Sequence, residues 1–224
     1  MSIDAYRYRG KSAAEPGAPL VFAFHGTGGD ENQLFTLAEQ IWPDAGVISP
    51  RGDVSEHGAA RFFRRKAEGV YDFEDLETRR RAMAEFVRSH KQRAKPSRTI
   101  GLGYSNGANI LAAVALVDAE LFDEIILTHP LVPWSPEDNP DLARLRVLIT
   151  AGRRDPICPP SLTEKLADYF ARQGSKVTLE WHDGGHELRP SELASLERFV
   201  SAGLVPANHD RPASSPSPNE KAPP

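Results

Sequence analysis

Short runs of consecutive apolar residues recur along the chain, and between them lie longer stretches whose apolar positions return at helical spacing. Six runs are predicted to be strands because Gly, Pro or charged residues bound each of them: Leu20 to Phe24, Gly46 to Ser49, Thr99 to Gly103, Glu124 to Thr128, Val147 to Ala151 and Val177 to Trp181. Strands apolar on both faces belong to a mainly parallel sheet covered on both sides. The segment Glu74 to Arg93 sets Leu76, Met83, Phe86 and Val87 on one face with arginines elsewhere, the pattern of a surface helix. Ser161 to Gln173 and Ser191 to Val200 follow the same rule, each with a serine as the expected cap. Asn109 to Val117 is apolar nearly all round, which predicts a helix buried against the middle of the sheet. Strand and helix alternate without an internal repeat, so the expected fold class is α/β with helices on both faces.

From Gly203 onward the residues are dominated by Pro, Ser, Ala and polar types and offer little to bury. We therefore expect one domain over residues 1–203 and a disordered Pro/Ser-rich tail over 204–224. The whole chain of 224 residues, 40% hydrophobic, is long enough for a single sizeable core. A formal net charge of -4 gives no electrostatic reason to expect a nucleic-acid partner, and the cluster Arg61, Arg64, Arg65 and Lys66 reads as solvated surface. No apolar run approaches the roughly 20 residues that span a bilayer, so no membrane partner is expected. The first residues show no basic stretch followed by an apolar one, which points to a cytoplasmic location. The single cysteine, Cys158, has no partner for a disulfide within the chain. It also lacks the strand-to-helix turn that a thiol nucleophile of this kind needs, so it reads as a small buried residue.

Chemistry enters at Gly103-Tyr104-Ser105-Asn106-Gly107, a G-x-S-x-G match. The motif carries weight because a predicted strand precedes it and a predicted buried helix follows, the setting of a sharp turn that exposes the serine hydroxyl. A serine at a helix N-terminus also sits beside free backbone N–H groups that favour developing negative charge. The N–H of Asn106 is the first expected oxyanion donor. The N–H of Thr27, on the glycine-rich turn His25-Gly-Thr-Gly-Gly after the first predicted strand, is the second. A serine nucleophile needs a base, and the base needs a carboxylate to fix its tautomer. Asp155 stands just beyond the fifth predicted strand and His186 on a glycine-rich loop beyond the sixth, giving the chain order Ser, Asp, His. His182 reads as the end of a strand rather than the base, His25 as a residue shaping the oxyanion loop, and His129 as part of the cleft wall. Neither a cofactor nor a metal is called for.

These residues resemble the carboxylesterase/phospholipase family of α/β-hydrolases, from about Pro19 to Val200. The likeness is strongest to a bacterial hydrolase branch linked to hydroquinone and catechol stress. It is carried by Arg61 to Leu76, Gly103 to Ile110 and Ala151 to Cys158. The resemblance implies a minimal α/β-hydrolase without a large cap and supports the roles of Ser105, Asp155 and His186. The chain departs from the branch at Glu187, where a neutral residue commonly follows the catalytic histidine, and in its Pro-rich tail.

The expected partner is a small-molecule ester cleaved through an acyl-serine intermediate. Thioester or lactone hydrolysis by the same triad is the alternative within enzymes, and ligand binding on a retained hydrolase scaffold the alternative outside them. Phe62, Phe63, Leu131 and Trp134 are apolar residues on loops where a cleft would lie, and are the expected substrate contacts.

Overall fold

The structure is a computed structural model and describes residues 5–204. Seven strands form the central sheet: β1 (Tyr8–Lys11), β2 (Leu20–Phe24), β3 (Gly46–Pro50), β8 (Thr99–Tyr104), β9 (Glu124–Thr128), β10 (Arg146–Gly152) and β11 (Lys176–His182). Their spatial order is β1-β3-β2-β8-β9-β10-β11. All neighbours pair in parallel except β1, which runs antiparallel to β3 along one edge. Two small hairpins, β4 (Val54–Glu56) with β5 (Ala59–Arg61) and β6 (Arg65–Ala67) with β7 (Val70–Tyr71), lie apart from the sheet.

Residue alternation assigns each strand's side chains to two layers. Phe22, Phe24, Ile125, Leu127, Val147 and Ile149 face α2 (Phe73–Ala94), α3 (Asn106–Val117) and α4 (Pro160–Arg172). Val21, Ala23, Ile126 and Leu148 face α1 (Phe35–Ile41) and α5 (Pro190–Leu204). The sheet is thus covered on both faces, as its uninterrupted apolar strands require.

Every residue from Asn106 to Leu116 in α3 is buried, in keeping with its all-round apolar sequence. Asp72 caps α2 through its side chain, which accepts the N–H of Asp75 at 3.2 Å. The two expected serine caps are corrected. α4 opens at Pro160 after Pro159 without a side-chain cap, and α5 opens at Pro190, so Ser161 and Ser191 lie inside first turns. Proline suits the first helical position because its missing N–H would have found no partner there.

α5 runs through Leu204, the last described residue, so the rest of the expected tail lies outside the described residues. Among the described residues no helix is long and apolar enough to cross a membrane.

Candidate active site

The C-terminal ends of the middle strands gather the polar residues singled out above. Ser105 stands between β8 and α3 with φ 52° and ψ -118°, a backbone conformation that costs a non-glycine residue about 1–3 kcal/mol. Its neighbours make the turn possible. A Cβ on Gly107 would lie 2.1 Å from the carbonyl oxygen of Phe24, and one on Gly103 would lie 2.7 Å from the Cα of Ala108. Only glycine lets α3 start so close to the ends of β2 and β8.

Ser105 Oγ lies 2.8 Å from Nε2 of His186, and Nδ1 of His186 lies 2.7 Å from Oδ2 of Asp155. A carboxylate only accepts, so Nδ1 of His186 carries the hydrogen and Nε2 is left free to receive the Ser105 hydroxyl. Asp155 is buried. Burial alone would raise its pKa, yet the N–H groups of Cys158 and Ile157 and the rings of His129 and His186 hold it below the ordinary carboxylate value. Those N–H groups reach Oδ1 at 2.9 and 2.8 Å. The loop carrying His186 is anchored by the Tyr104 hydroxyl, which donates to the His186 carbonyl at 2.8 Å.

The loop after β2 is held from several sides. Gly26 N–H donates to Gln33 Oε1 at 2.7 Å, Gly28 N–H to the Ala60 carbonyl at 2.9 Å, and Arg61 Nη1 to Thr27 Oγ1 at 2.6 Å. Gly52 N–H donates to Nε2 of His25 at 2.9 Å, which leaves the His25 hydrogen on Nδ1, directed at the Gly26 carbonyl at 2.7 Å. Burial, partly opposed by that Gly26 contact, keeps His25 below the ordinary histidine pKa. Among the described residues, the backbone N–H groups of Thr27 and Asn106 enter no hydrogen bond, the latter because it opens α3. The side chain of Asn106 is occupied elsewhere, with Oδ1 accepting the Phe62 N–H at 2.7 Å.

A cavity of about 270 Å³ opens over Ser105, and Thr27, Asn106, Leu131 and His186 line it together with Tyr104 and Cys158. Several expectations are corrected here. Phe62 and Phe63 are in the core: Phe62 packs on Phe24 and His25, and Phe63 on Tyr71. Large rings flanking an inward-turning loop bury more apolar surface in the core than on a cleft wall. Trp134 is half-buried against Tyr71 and Phe73 and lines a separate cavity of about 520 Å³ that contains none of Ser105, Asp155 and His186. His129 is fully buried behind Asp155 and forms no part of the cleft wall.

The basic cluster also splits. Arg64 and Lys66 are exposed as read, but Arg61 is 3% exposed and lines the Ser105 cavity with the partly buried Arg65. Glu56 pairs with both, at 3.4 Å from Arg61 and 2.9 Å from Arg65, which allows Arg61 to be buried. Sequence reasoning also missed Asn109 and Tyr71. Asn109 Oδ1 accepts the Leu131 N–H at 2.6 Å, its Nδ2 donates to the Tyr71 hydroxyl at 2.7 Å, and that hydroxyl donates to the Leu131 carbonyl at 2.9 Å. The available signal is a second asparagine, after Asn106, on a helix whose other side chains are apolar.

Cys158 is buried, and that burial lifts its thiol far above the ordinary range, so it stays protonated. Glu187 pairs with Arg189, whose Nε lies 2.8 Å from Oε1. Arg189 holds the Glu187 carboxyl down at about 2.

With this geometry in place, comparison with known proteins is decisive. The dienelactone hydrolase family matches residues 57–188, a span that contains Ser105, Asp155 and His186. The chain belongs to this family. Its fold is that of the α/β-hydrolases and it is an enzyme of the hydrolase class. A Bacillus subtilis protein named "Putative hydrolase MhqD" is 37% identical over 83% of this chain and 94% of its own length. Among solved structures, a protein of unknown function from Agrobacterium tumefaciens is 49% identical with a TM-score of 0.85, over 90% of this chain and 98% of that one. The Bacillus cereus carboxylesterase is 34% identical with a TM-score of 0.83, over 89% and 95% of the two chains.

Proposed function

We propose that the chain is a serine hydrolase that cleaves small carboxylic esters through an acyl-Ser105 intermediate. The observation that carries this reading is the unbroken contact from Ser105 Oγ through the His186 ring to Asp155, at 2.8 and 2.7 Å, on the floor of a cavity. In this reading His186 takes the Ser105 proton at Nε2 while the oxygen attacks the ester carbonyl. The bond to the leaving alcohol then breaks, and His186 returns the proton to that alcohol. Water, deprotonated by the same nitrogen, releases the acid. The free N–H groups of Thr27 and Asn106 are the donors for the oxyanion, and Asp155 stabilises the imidazolium formed in each half-reaction.

A cavity of about 270 Å³ is at the small end of ligand sites and favours a compact ester with a short apolar group against Leu131. The family name brings lactones, which are internal esters, into the same substrate range. Ring opening would leave alcohol and acyl group on one product. We further read residues 205–224 as a tail without a part in catalysis, and the chain as acting in the cytoplasm without nucleic acid or membrane.

Treatment with a fluorophosphonate, followed by peptide mapping, tests the nucleophile. Modification at Ser105 is expected, and modification elsewhere with Ser105 intact would overturn the assignment.

A further inference from the structure

Behind Asp155 lies a second layer of ionisable groups that the acyl-transfer steps do not use. Asp155 Oδ2 receives two rings, His186 Nδ1 at 2.7 Å and His129 Nδ1 at 2.9 Å. The other nitrogen of His129, Nε2, faces Glu192 Oε1 at 3.2 Å. His129 and Asp155 side chains are fully buried and Glu192 nearly so.

The neighbouring donors and acceptors assign the ring hydrogens. Gly184 N–H donates to Nδ1 of His182 at 2.9 Å, so His182 carries its hydrogen on Nε2, which faces Glu192 Oε2 at 3.4 Å. Glu192 also accepts the Thr150 hydroxyl at 2.6 Å and, as the third residue of α5, the Arg189 N–H at 2.8 Å, half of a capping box. Three donors other than His129 converge on this carboxylate, the environment of an ionised acid. His182 Nε2 lies 3.4 Å from His129 Nε2 as well as from Glu192 Oε2; with its hydrogen given to the Glu192 carboxylate, His129 faces Asp155 Oδ2 at one nitrogen and Glu192 Oε1 at the other, an arrangement in which both ring nitrogens donate.

We propose that His129 is an imidazolium at neutral pH, clamped between Asp155 and Glu192, and acts as a positioning residue for the catalytic carboxylate. This inference rests on the Ser105, His186 and Asp155 reading given above. Three further observations support it. His129 holds a left-handed backbone, φ 52°, rare for a residue other than glycine; its N–H donates to the Thr150 carbonyl at 2.8 Å and its carbonyl accepts from Cys158 Sγ at 3.3 Å. Burial would lower the His129 pKa, but the bonds to Glu192 and Asp155 outweigh it and raise the pKa above the ordinary histidine value. Glu192, which burial would raise, is held low by His129, Thr150 and the Arg189 N–H.

The groups facing His129 are Asp155, Glu192, His182 and His186, with the Tyr104 ring 6.0 Å away. The charge count is two carboxylates against one imidazolium. With His129 charged, a single net negative charge faces the His186 ring, whose centroid is 5.0 Å from that of His129. Without it, two would, and protonation of the base would be favoured. His129 thereby offsets one of the two carboxylate charges that face His186, and keeps Asp155 aimed at that ring.

Two measurements test this together. Nitrogen-15 spectra of the histidine rings in the unsubstituted full chain should show His129 with both nitrogens protonated from pH 5 to 8, and a neutral His129 ring at pH 7 would overturn the proposal. In parallel, the pH profile of kcat/KM is compared for the wild type, His129→Gln and the charge-balanced pair His129→Gln with Glu192→Gln. The single variant should move the rising limb to higher pH by roughly half a unit or more. The pair should bring it back toward the wild type. A limb that does not move in His129→Gln refutes the role in tuning, and a limb equally displaced in both refutes the charge argument. If His129→Gln does not fold, the ring spectrum decides. Fluorophosphonate labelling of the same samples separates the two levels, since failure to label Ser105 sinks the triad reading whatever the state of His129.

Discussion

His129 and His186 meet on one atom, Oδ2 of Asp155, which their Nδ1 nitrogens approach to 2.9 and 2.7 Å. Asp155 therefore faces both the His186 ring and the buried His129 ring, and its replacement should disturb both. Asp155→Asn is expected to lower the plateau of kcat/KM by up to roughly 10⁴-fold, because an amide at this position favours the wrong His186 tautomer. Steady-state rates on an aryl ester measure it, and a variant with a wild-type plateau would remove Asp155 from the triad.

Glu187 is the control carboxylate. It follows His186 in sequence but its charge is engaged by Arg189 and by the Gly185 N–H at 3.1 Å. Glu187→Gln should leave the rising limb of kcat/KM where it is in the wild type, as expected for an exposed and already compensated charge. A clear move of the limb to lower pH would mean that Glu187 acts on His186 after all.

The elbow makes a stability prediction. A methyl group on Gly107 would sit 2.1 Å from the Phe24 carbonyl oxygen and 2.5 Å from that of His25, both backbone atoms that cannot swing aside. Gly107→Ala should therefore cost about 1–3 kcal/mol or more, a Tm loss of roughly 3–10 °C in a chain of this size. Thermal unfolding followed by circular dichroism checks it; an unchanged Tm would show that the approach of α3 to β2 is looser than described.

The buried ionic cluster should shape stability at both ends of the pH scale. Asp155 and Glu192 have lowered pKa values, so their contribution is complete above the ordinary carboxylate range and is lost as pH falls through their folded-state values. His129 has a raised pKa, so its contribution is complete below the ordinary histidine value and is lost as pH rises through its folded-state value. Tm should therefore decline in acid and again in alkali, and the alkaline decline should shrink in the pair His129→Gln with Glu192→Gln. An identical alkaline decline in that pair would place its cause elsewhere.

What could be read from the sequence was what repeats or carries a motif. The six parallel strands announced themselves as apolar runs, and Ser105 as a G-x-S-x-G turn between a strand and an apolar helix. β1 did not, because an edge strand reading Tyr-Arg-Gly-Lys buries too little to show a pattern. The hairpins of residues 54–71 were equally hidden, since strands of two or three residues have no period. That gap explains the misplaced cleft wall: without the hairpins, the burial of Phe62 and Phe63 and the inward turn of Arg61 had no visible cause. The partnership of His129 with Glu192 joins residues 63 positions apart through a helix packed under the sheet, and nothing local to either residue encodes it.

Turnover of aryl and alkyl esters by the wild type and by Ser105→Ala decides whether Ser105 is the nucleophile of an ester hydrolase. The wild type is expected to hydrolyse these esters measurably and the variant to lose roughly 10⁶-fold in kcat, with its fold and Tm retained. A correctly folded Ser105→Ala protein that keeps a tenth of the wild-type rate would contradict that role for Ser105.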